Sequence, residues 1–132
     1  MQRKDEAFQF LNLALDDSYV CHTLSKDPNA SDRIICFHAQ QAVEKGFKAI
    51  LVSQNIVPLK THDLTELAYM LEDAGIILPI PIAKLAYLTP YAVTIRYGGE
   101  VNGAMNPDEA CELMDTVLQF AKTQLSSYFD IT

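Results

Sequence analysis

The chain has 132 residues, 17 acidic and 10 basic side chains, a formal net charge of −7 and 49% hydrophobic residues. This length favours one domain spanning residues 1–132, and the apolar fraction excludes a disordered chain. The acidic balance argues against a dedicated nucleic-acid binder, because domains that hold phosphate backbones are rich in Lys and Arg.

The sequence predicts a cytoplasmic protein without a secretory signal or a membrane span. Charged residues stand near its start, and its longest apolar stretch, residues 76–88, is interrupted by two prolines and a lysine. Its cysteines, Cys21, Cys36 and Cys111, lack a C-x-x-C spacing. We therefore predict neither a zinc site nor a redox pair, and no cofactor; each cysteine should behave as a small buried hydrophobe.

Helical periodicity dominates the chain, and sustained strand-like alternation is absent. The first predicted helix covers about residues 4–24, and residues 26–29 end it. Its apolar residues recur three or four positions apart: Phe10, Leu13, Ala14, Cys21 and Leu24. The second helix begins after Ser31, a suitable N-cap, and continues to about Ser53.

Capping signals also place the later helices. Thr61 or Asp63 can cap the third helix, and Gly75 is well placed to end it. The fourth covers Ile82 to Tyr97, within which Pro90 should bend or interrupt it.

The fifth helix has the clearest start, with Asn106 as N-cap, Pro107 at the first position and Glu109 closing a capping box. One face of this helix is apolar: Ala110, Leu113, Val117, Ala121 and Leu125. Long helices joined by short loops predict an all-α antiparallel bundle of four main helices plus a shorter one.

The second helix divides into faces on a helical wheel. Its apolar stripe consists of Cys36, Ala39, Val43, Phe47 and Ile50. Beside this stripe lie three small residues, Ala42, Gly46 and Ala49, where another helix could approach closely. Gln40 falls at the stripe's edge, and we predict a core glutamine whose hydrogen bonds fix a neighbouring loop.

A polar stripe follows the other side of this helix with spacing 3-4-3: His38, Gln41, Lys45 and Lys48. It has two interpretations. It is either the solvated face of an amphipathic helix or a recognition surface. In the second case His38 and Gln41 would form hydrogen bonds to a ligand, and Lys45 and Lys48 would contact an anion, with Glu44 offsetting part of the charge.

Arg96 stands at the end of the fourth predicted helix, just before the glycine pair at 98–99. Its guanidinium could bind phosphate in a bidentate manner, with Tyr91 or Tyr97 available for stacking. Alternatively, Arg96 caps helix-end carbonyls or pairs with Glu100. Chemistry and spacing leave both interpretations open.

Three segments resemble the HEPN family, the "higher eukaryotes and prokaryotes nucleotide-binding" domains. They are Phe-His-Ala-Gln-Gln-Ala-Val-Glu-Lys at 37–45 with Lys-Ala at 48–49, Thr-His-Asp-Leu at 61–64, and Arg96-Tyr97. The first segment is fairly specific. With the order and lengths of the helices, the likeness covers nearly the whole chain.

The resemblance implies a helical bundle that forms a homodimer and is encoded beside, or fused to, a minimal nucleotidyltransferase, in a system resembling toxin and antitoxin. It also implies a nucleotide-binding wall formed by Arg96, Tyr97 and the polar stripe. Several HEPN branches are metal-independent ribonucleases, in which an Arg is followed after four to six residues by a His. Two protomers bring these residues together in one cleft.

The chain departs from this ribonuclease signature. The positions that should hold the histidine after Arg96 are Val101, Asn102 and Gly103. Acid–base cleavage of RNA needs a group that titrates near neutral pH, which Asn102 cannot supply. We therefore expect a non-catalytic or weakly catalytic module that binds a nucleotide as the helical partner of a nucleotidyltransferase. The alternatives are a dimeric ribonuclease and a structural homodimer in contact through Ala42, Gly46 and Ala49.

His62 opens the third helix, and we interpret it as a partly buried imidazole that forms hydrogen bonds to backbone at the helix start. No convincing set of metal ligands surrounds it in sequence, so no metal is proposed. Acidic residues crowd the last helix and its approach: Glu100, Asp108, Glu109, Glu112 and Asp115. This charge should repel long RNA, which fits a nucleotide-sized ligand or a protein partner.

Overall fold

A computed structural model describes residues 2–92 and 105–130 of the chain. The helices in these ranges are α1 (Gln2–Ser25), α2 (Asp32–Ser53), α3 (Leu64–Asp73), α4 (Ile82–Leu85) and α5 (Pro107–Tyr128). Neither range contains a strand. The prediction of an all-α bundle is confirmed.

The helix starts lie where the capping residues predict them. The Ser31 hydroxyl accepts a hydrogen bond from the backbone N–H of Ile34 at the start of α2, over 3.2 Å. Asn106 accepts one from the backbone N–H of Glu109 at the start of α5, and its amide donates to the Glu109 carboxylate. Each cap satisfies a backbone N–H that has no partner within its helix.

At the ends of α2 and α3, left-handed residues let the chain reverse. Gly75 has a φ of +83° after α3, and the next N–H, that of Ile76, donates to the carbonyl of Leu71. Asn55, with a φ of 62°, has the same place after α2. Glycine and asparagine tolerate this conformation best, so both ends are fixed by local sequence.

The fourth predicted helix is interrupted at residues 86–90, as predicted from Pro90, and helical backbone resumes at Tyr91 and Ala92. Helix α4 ends at Leu85, and turns cover residues 86–90. Pro90 accounts for this end, because its ring clashes with the carbonyl four residues earlier, that of Ala86. The remainder of the prediction, residues 93–97, lies outside the described residues.

Three long helices form the body of the bundle. Helix α1 is antiparallel to α5, as the pairs Cys21–Cys111 and Phe8–Phe129 near its two ends indicate. Only residues 26–31 separate α1 from α2, so these two helices are antiparallel as well. The stripes predicted on α2 and α5 are buried, whereas Leu13 on α1 is exposed, contrary to its predicted place in the apolar stripe.

The small residues of α2 form a close contact with α5 of the same chain. A Cβ added at Gly46 would meet the Leu118 side chain at 3.0 Å. Ala42 and Ala49 are also fully buried. The predicted close helix approach therefore exists within one chain, and a homodimer must use another surface. In residues 2–92 and 105–130, no helix combines the length and apolar character needed to cross a membrane.

Candidate functional site

Two carboxylates divide the polar stripe of α2 into separate clusters. The Asp17 cluster consists of Asp17 on α1 with His38 and Lys45 on α2. The Glu44 cluster consists of Gln40, Gln41, Glu44 and Lys48 on α2 with His62 in the loop before α3. The stripe that the sequence presents as one surface thus contacts two different elements.

The Asp17 cluster is an ion-pair network at the junction of α1 and α2. Lys45 Nζ donates to Asp17 Oδ2 over 2.6 Å, and His38 Nδ1 lies 3.0 Å from Asp17 Oδ1. The side chains of His38 and Lys45 are 23% and 27% exposed. Both groups are held in place and remain accessible to solvent.

This arrangement leaves groups that can meet a ligand. Asp17 occupies Nδ1 of His38, so Nε2 is the ring nitrogen left to donate or accept a hydrogen bond. The ammonium of Lys45 has three N–H donors, of which Asp17 takes one. Because the carboxylate neutralises part of the positive charge, an arriving phosphate would have to share Lys45 with Asp17.

Glu44 is the centre of the second cluster and is 6% exposed. Its Oε2 accepts a hydrogen bond from Lys48 Nζ over 2.9 Å. Its Oε1 lies 2.9 Å from His62 Nδ1 and accepts a hydrogen bond from Gln40 Nε2 over 3.2 Å. A buried carboxylate with three partners avoids most of the penalty that burial imposes on a charge.

Gln40 confirms the interpretation made from sequence. It is fully buried, and its Nε2 also donates to the backbone carbonyl of His62 over 3.2 Å. Its own carbonyl accepts from Gln41 Nε2 over 2.7 Å. Gln40 therefore fixes the loop before α3 against α2, as predicted for a core glutamine.

His62 differs from its prediction. Its side chain is 52% exposed, and Nδ1 meets the Glu44 carboxylate rather than a backbone group. Asp63, the next residue, supplies the cap of α3 by accepting the N–H of Thr65 over 2.9 Å. Because Asp63 caps the helix, the His62 imidazole is not needed as a cap, and its contact with Glu44 links this loop to α2.

The partners of Glu44 determine its pKa. Burial by itself raises the pKa of this carboxyl, but hydrogen bonds from His62 and Lys48, the charge of Lys48 and the hydrogen bond from Gln40 outweigh burial. Together they hold the pKa of Glu44 below its ordinary value. The cluster is therefore built around an ionised carboxylate.

Tyr91 lies in the core, where its hydroxyl donates to the carbonyl of Met105 over 3.0 Å. Burial raises the pKa of Tyr91 to about 12, with Cys36 nearby adding to the effect. In this place the ring contributes to packing beside the start of α5. Arg96 and Tyr97, the other predicted phosphate and stacking residues of this segment, lie outside the described residues.

The fold also joins two cysteines that their sequence positions keep apart. The sulfur atoms of Cys21 and Cys111 lie 2.9 Å from one another in the core, and both are free thiols. Burial raises the pKa of each, which keeps the reactive thiolate form scarce. Cys21, Cys36 and Cys111 are all buried, as predicted.

The family model described as the HEPN domain matches residues 29–126, well over half of the chain. The chain belongs to the HEPN family. No curated protein and no solved structure matches it. The matched range of this HEPN domain includes the whole Glu44 cluster, whereas Asp17 precedes it.

Sequence reasoning missed Asp17, and it identified Glu44 only as a charge that offsets the lysines, not as the buried centre of a cluster. Asp17 lies three residues after Ala14 and four before Cys21, which places it on the buried side of α1. A carboxylate at such a position needs a cationic partner, and that requirement could have linked it to Lys45. Glu44, four residues after Gln40, carried the same signal. Among the described residues, no group of three or more His, Cys, Asp or Glu side chains is arranged to hold a metal ion.

Proposed function

We propose that this HEPN-domain protein is the helical, nucleotide-binding partner of a minimal nucleotidyltransferase, in a system resembling toxin and antitoxin. The proposal rests chiefly on one observation about the sequence of this family member. Positions 101–103, where the ribonuclease signature would need a histidine after Arg96, hold Val, Asn and Gly. We also propose a cytoplasmic location, which three free thiols favour.

The Asp17 cluster supports nucleotide binding because its cationic groups remain partly exposed. His38 and Lys45 offer a ring nitrogen and ammonium protons to a phosphate, and Asp17 keeps both side chains oriented. Lys48 is a weaker candidate, since its ammonium neutralises the buried Glu44. We therefore place the phosphate contact at the His38 and Lys45 end of the stripe, with Gln41 beside it and Arg96 and Tyr97 as further contacts.

Co-purification tests the partnership. The chain is expressed with an affinity tag from its native locus, together with the product of the neighbouring gene. A stoichiometric complex with a nucleotidyltransferase is the expected result. A neighbouring gene for an unrelated protein, together with no captured nucleotidyltransferase, would contradict the proposed partnership.

Calorimetry with ATP as the probe tests nucleotide binding by the isolated chain. Lys45→Met and Arg96→Gln should each weaken ATP binding about tenfold, because each removes a charged contact to phosphate. Lys60→Met is the matched control, since Lys60 is exposed and lies outside both clusters. Equal ATP affinities of the wild-type chain and Lys45→Met would show that the Asp17 cluster is not part of the binding site.

A dimeric metal-independent ribonuclease is the second candidate, and the Asp17–His38 pair favours it. A carboxylate that holds Nδ1 of an imidazole leaves Nε2 for proton transfer, which is the chemistry that the missing histidine would supply. Expression of the chain alone should then arrest growth and fragment RNA, and His38→Ala and Arg96→Ala should each abolish both effects. Intact RNA and normal growth with the wild-type chain would eliminate this candidate.

A further inference from the structure

Residues 76–82 comprise the loop after α3 and the first residue of α4, and they carry no charged side chain; their sequence is Ile-Ile-Leu-Pro-Ile-Pro-Ile. We call it the apolar loop. Ile77 is 88% exposed, and both prolines are exposed, while Ile76, Leu78, Ile80 and Ile82 pack partly against the core. Contiguous apolar surface of this kind is typical of interaction sites, because leaving it in water is unfavourable.

The apolar loop borders two grooves along α5. The first has a volume of about 220 Å³ and lies between Ile80 and Leu113, with Glu109 and Glu112 at its edge. The second, about 520 Å³, has Phe120 as its main apolar wall and Asp115 at its edge. Pro79 lines both grooves. The loop and the grooves are therefore one continuous surface.

The charge around this surface is strongly negative. The carboxylates at its edges are Glu72, Glu109, Glu112 and Asp115. Lys84 is the one cationic side chain among the described residues that line it. Asp115, at the second groove, pairs with His22 over 2.7 Å, whereas Glu109 and Glu112 lie beside the first groove. An apolar floor with acidic edges attracts the opposite charge pattern.

We propose that the apolar loop and the adjoining face of α5 form a docking surface for a protein segment that carries Lys or Arg around apolar side chains. The acidic edges and the apolar floor of this surface complement a segment of that charge pattern. A second copy of this chain is disfavoured as occupant of this surface, since a two-fold contact would bring the Glu109 and Glu112 carboxylates of both copies together. This docking surface depends on the proposed function in one respect, namely that this chain binds another protein.

The loop's two prolines make the surface suited to docking. Proline fixes φ near −65°, so the backbone around Pro79 and Pro81 has few conformations to lose when a partner binds. The partly buried isoleucines anchor the loop to the core, while Ile77 stays exposed as a contact. Binding should therefore depend on both apolar contact through Ile77 and charge through Glu112.

Fluorescence anisotropy with two labelled helical peptides tests the proposal on the full chain. One peptide contains leucine and lysine, and the other has every lysine replaced by glutamate. The lysine peptide should bind, and its affinity should fall as salt is added, because the carboxylates at the grooves are solvent-exposed. Equal binding of both peptides would contradict charge complementarity and overturn the proposal.

Matched variants locate the binding. Ile77→Ser should weaken the lysine peptide about tenfold, and Glu112→Gln should weaken it severalfold and reduce its salt dependence. The controls are Val57→Ser, at an equally exposed residue (86%) in another loop, and Glu66→Gln on α3. If the controls weaken binding as much as the test variants, the peptide binds by general charge and the docking surface is refuted.

Sedimentation equilibrium decides between a basic partner and a second copy. The wild-type chain and Ile77→Ser should show the same oligomeric state. A dimer that Ile77→Ser dissociates would make a second copy the occupant and overturn the proposal. Because the peptide assay needs neither nucleotide nor nucleotidyltransferase, its failure is distinguishable from failure of the co-purification and ATP-binding tests.

Discussion

The Asp17 cluster and the Glu44 cluster both include residues of α2 and both pair a carboxylate with a histidine and a lysine, yet they differ in burial. Glu44 is 6% exposed and has three side-chain partners, one of them, His62, from a separate loop. Asp17 is 13% exposed and has two partners, both of which reach solvent. One cluster fixes a loop, and the other leaves His38 and Lys45 partly exposed to solvent.

We propose that this difference separates groups that stabilise the fold from groups that bind a ligand along one stripe. At the Glu44 cluster, a lost partner leaves a buried charge or amide unsatisfied, and the cost falls on folding. At the Asp17 cluster, water can replace a lost partner, so changes there should affect ligand affinity more than stability. The following predictions challenge this separation, beginning with the largest effect.

Removal of the Glu44 carboxylate should have the largest effect on stability. Glu44→Ala leaves Lys48 and Gln40 without their shared acceptor, and we expect a loss of about 3–5 kcal/mol in the free energy of unfolding. Urea denaturation followed by circular dichroism measures it. Glu66→Ala, at an exposed site on α3, should cost about 0.5 kcal/mol or less. A similar small cost for Glu44→Ala would show that its network is not structural.

The two lysines of the stripe should respond unequally to the same substitution. Lys48→Met removes a partner of a buried carboxylate and should lower the free energy of unfolding by about 2 kcal/mol. Lys45→Met leaves Asp17 with His38 and water, so its cost should stay below about 1 kcal/mol. Urea denaturation of the two variants measures both losses. Equal losses of unfolding free energy would show that the two clusters contribute alike to stability.

The pKa of Glu44 predicts the pH dependence of stability. Because its folded-state pKa is lowered, the carboxylate stabilises the fold above the ordinary glutamate pKa of about 4.3. This contribution is lost as the pH falls through the lowered folded-state value. Glu44→Gln should flatten the decline in unfolding free energy below about pH 4.3, while Glu66→Gln should leave it unchanged. A parallel decline in wild type and Glu44→Gln would exclude Glu44 as a source of acid sensitivity.

The smallest effect, and the most specific, concerns affinity. Asp17→Asn keeps a side chain of the same shape but frees the charge of Lys45, so ATP affinity should rise about fivefold. Calorimetry with ATP measures this change. Asp16→Asn, at the exposed neighbour, should change the affinity less than about twofold because of screening. Weaker ATP binding by Asp17→Asn would mean that orientation by the carboxylate matters more than the charge it neutralises.

Local signals in the sequence predicted much of the fold. The caps at Ser31 and Asn106 predicted the starts of α2 and α5, and Gly75 predicted the end of α3. These features depend on residues within a few positions of one another, so sequence alone contains them. Pro90 carried a similar signal, and turns at residues 86–90 interrupt the fourth predicted helix.

The candidate site could be predicted only in part. The wheel of α2 identified His38, Gln41, Lys45 and Lys48 as one stripe and Gln40 as a core residue. The wheel could not show that the stripe consists of two clusters, because Asp17 comes from α1 and His62 from the loop before α3. Asp17 lies 21 residues from His38, and His62 lies 18 residues from Glu44. Such pairings depend on how the helices pack.

By itself, the sequence determined the helical class, the boundaries of the capped helices and the HEPN resemblance, because each is encoded in short-range spacing. The tertiary structure decided which polar groups are neutralised and which remain accessible to solvent. It also decided that α5 packs against the small residues of α2. The physical reason is burial. A carboxylate's partners and its loss of water are set by segments distant in sequence. These segments determine whether a lysine of the stripe pairs with a deeply buried carboxylate, as Lys48 does, or stays more exposed, as Lys45 does.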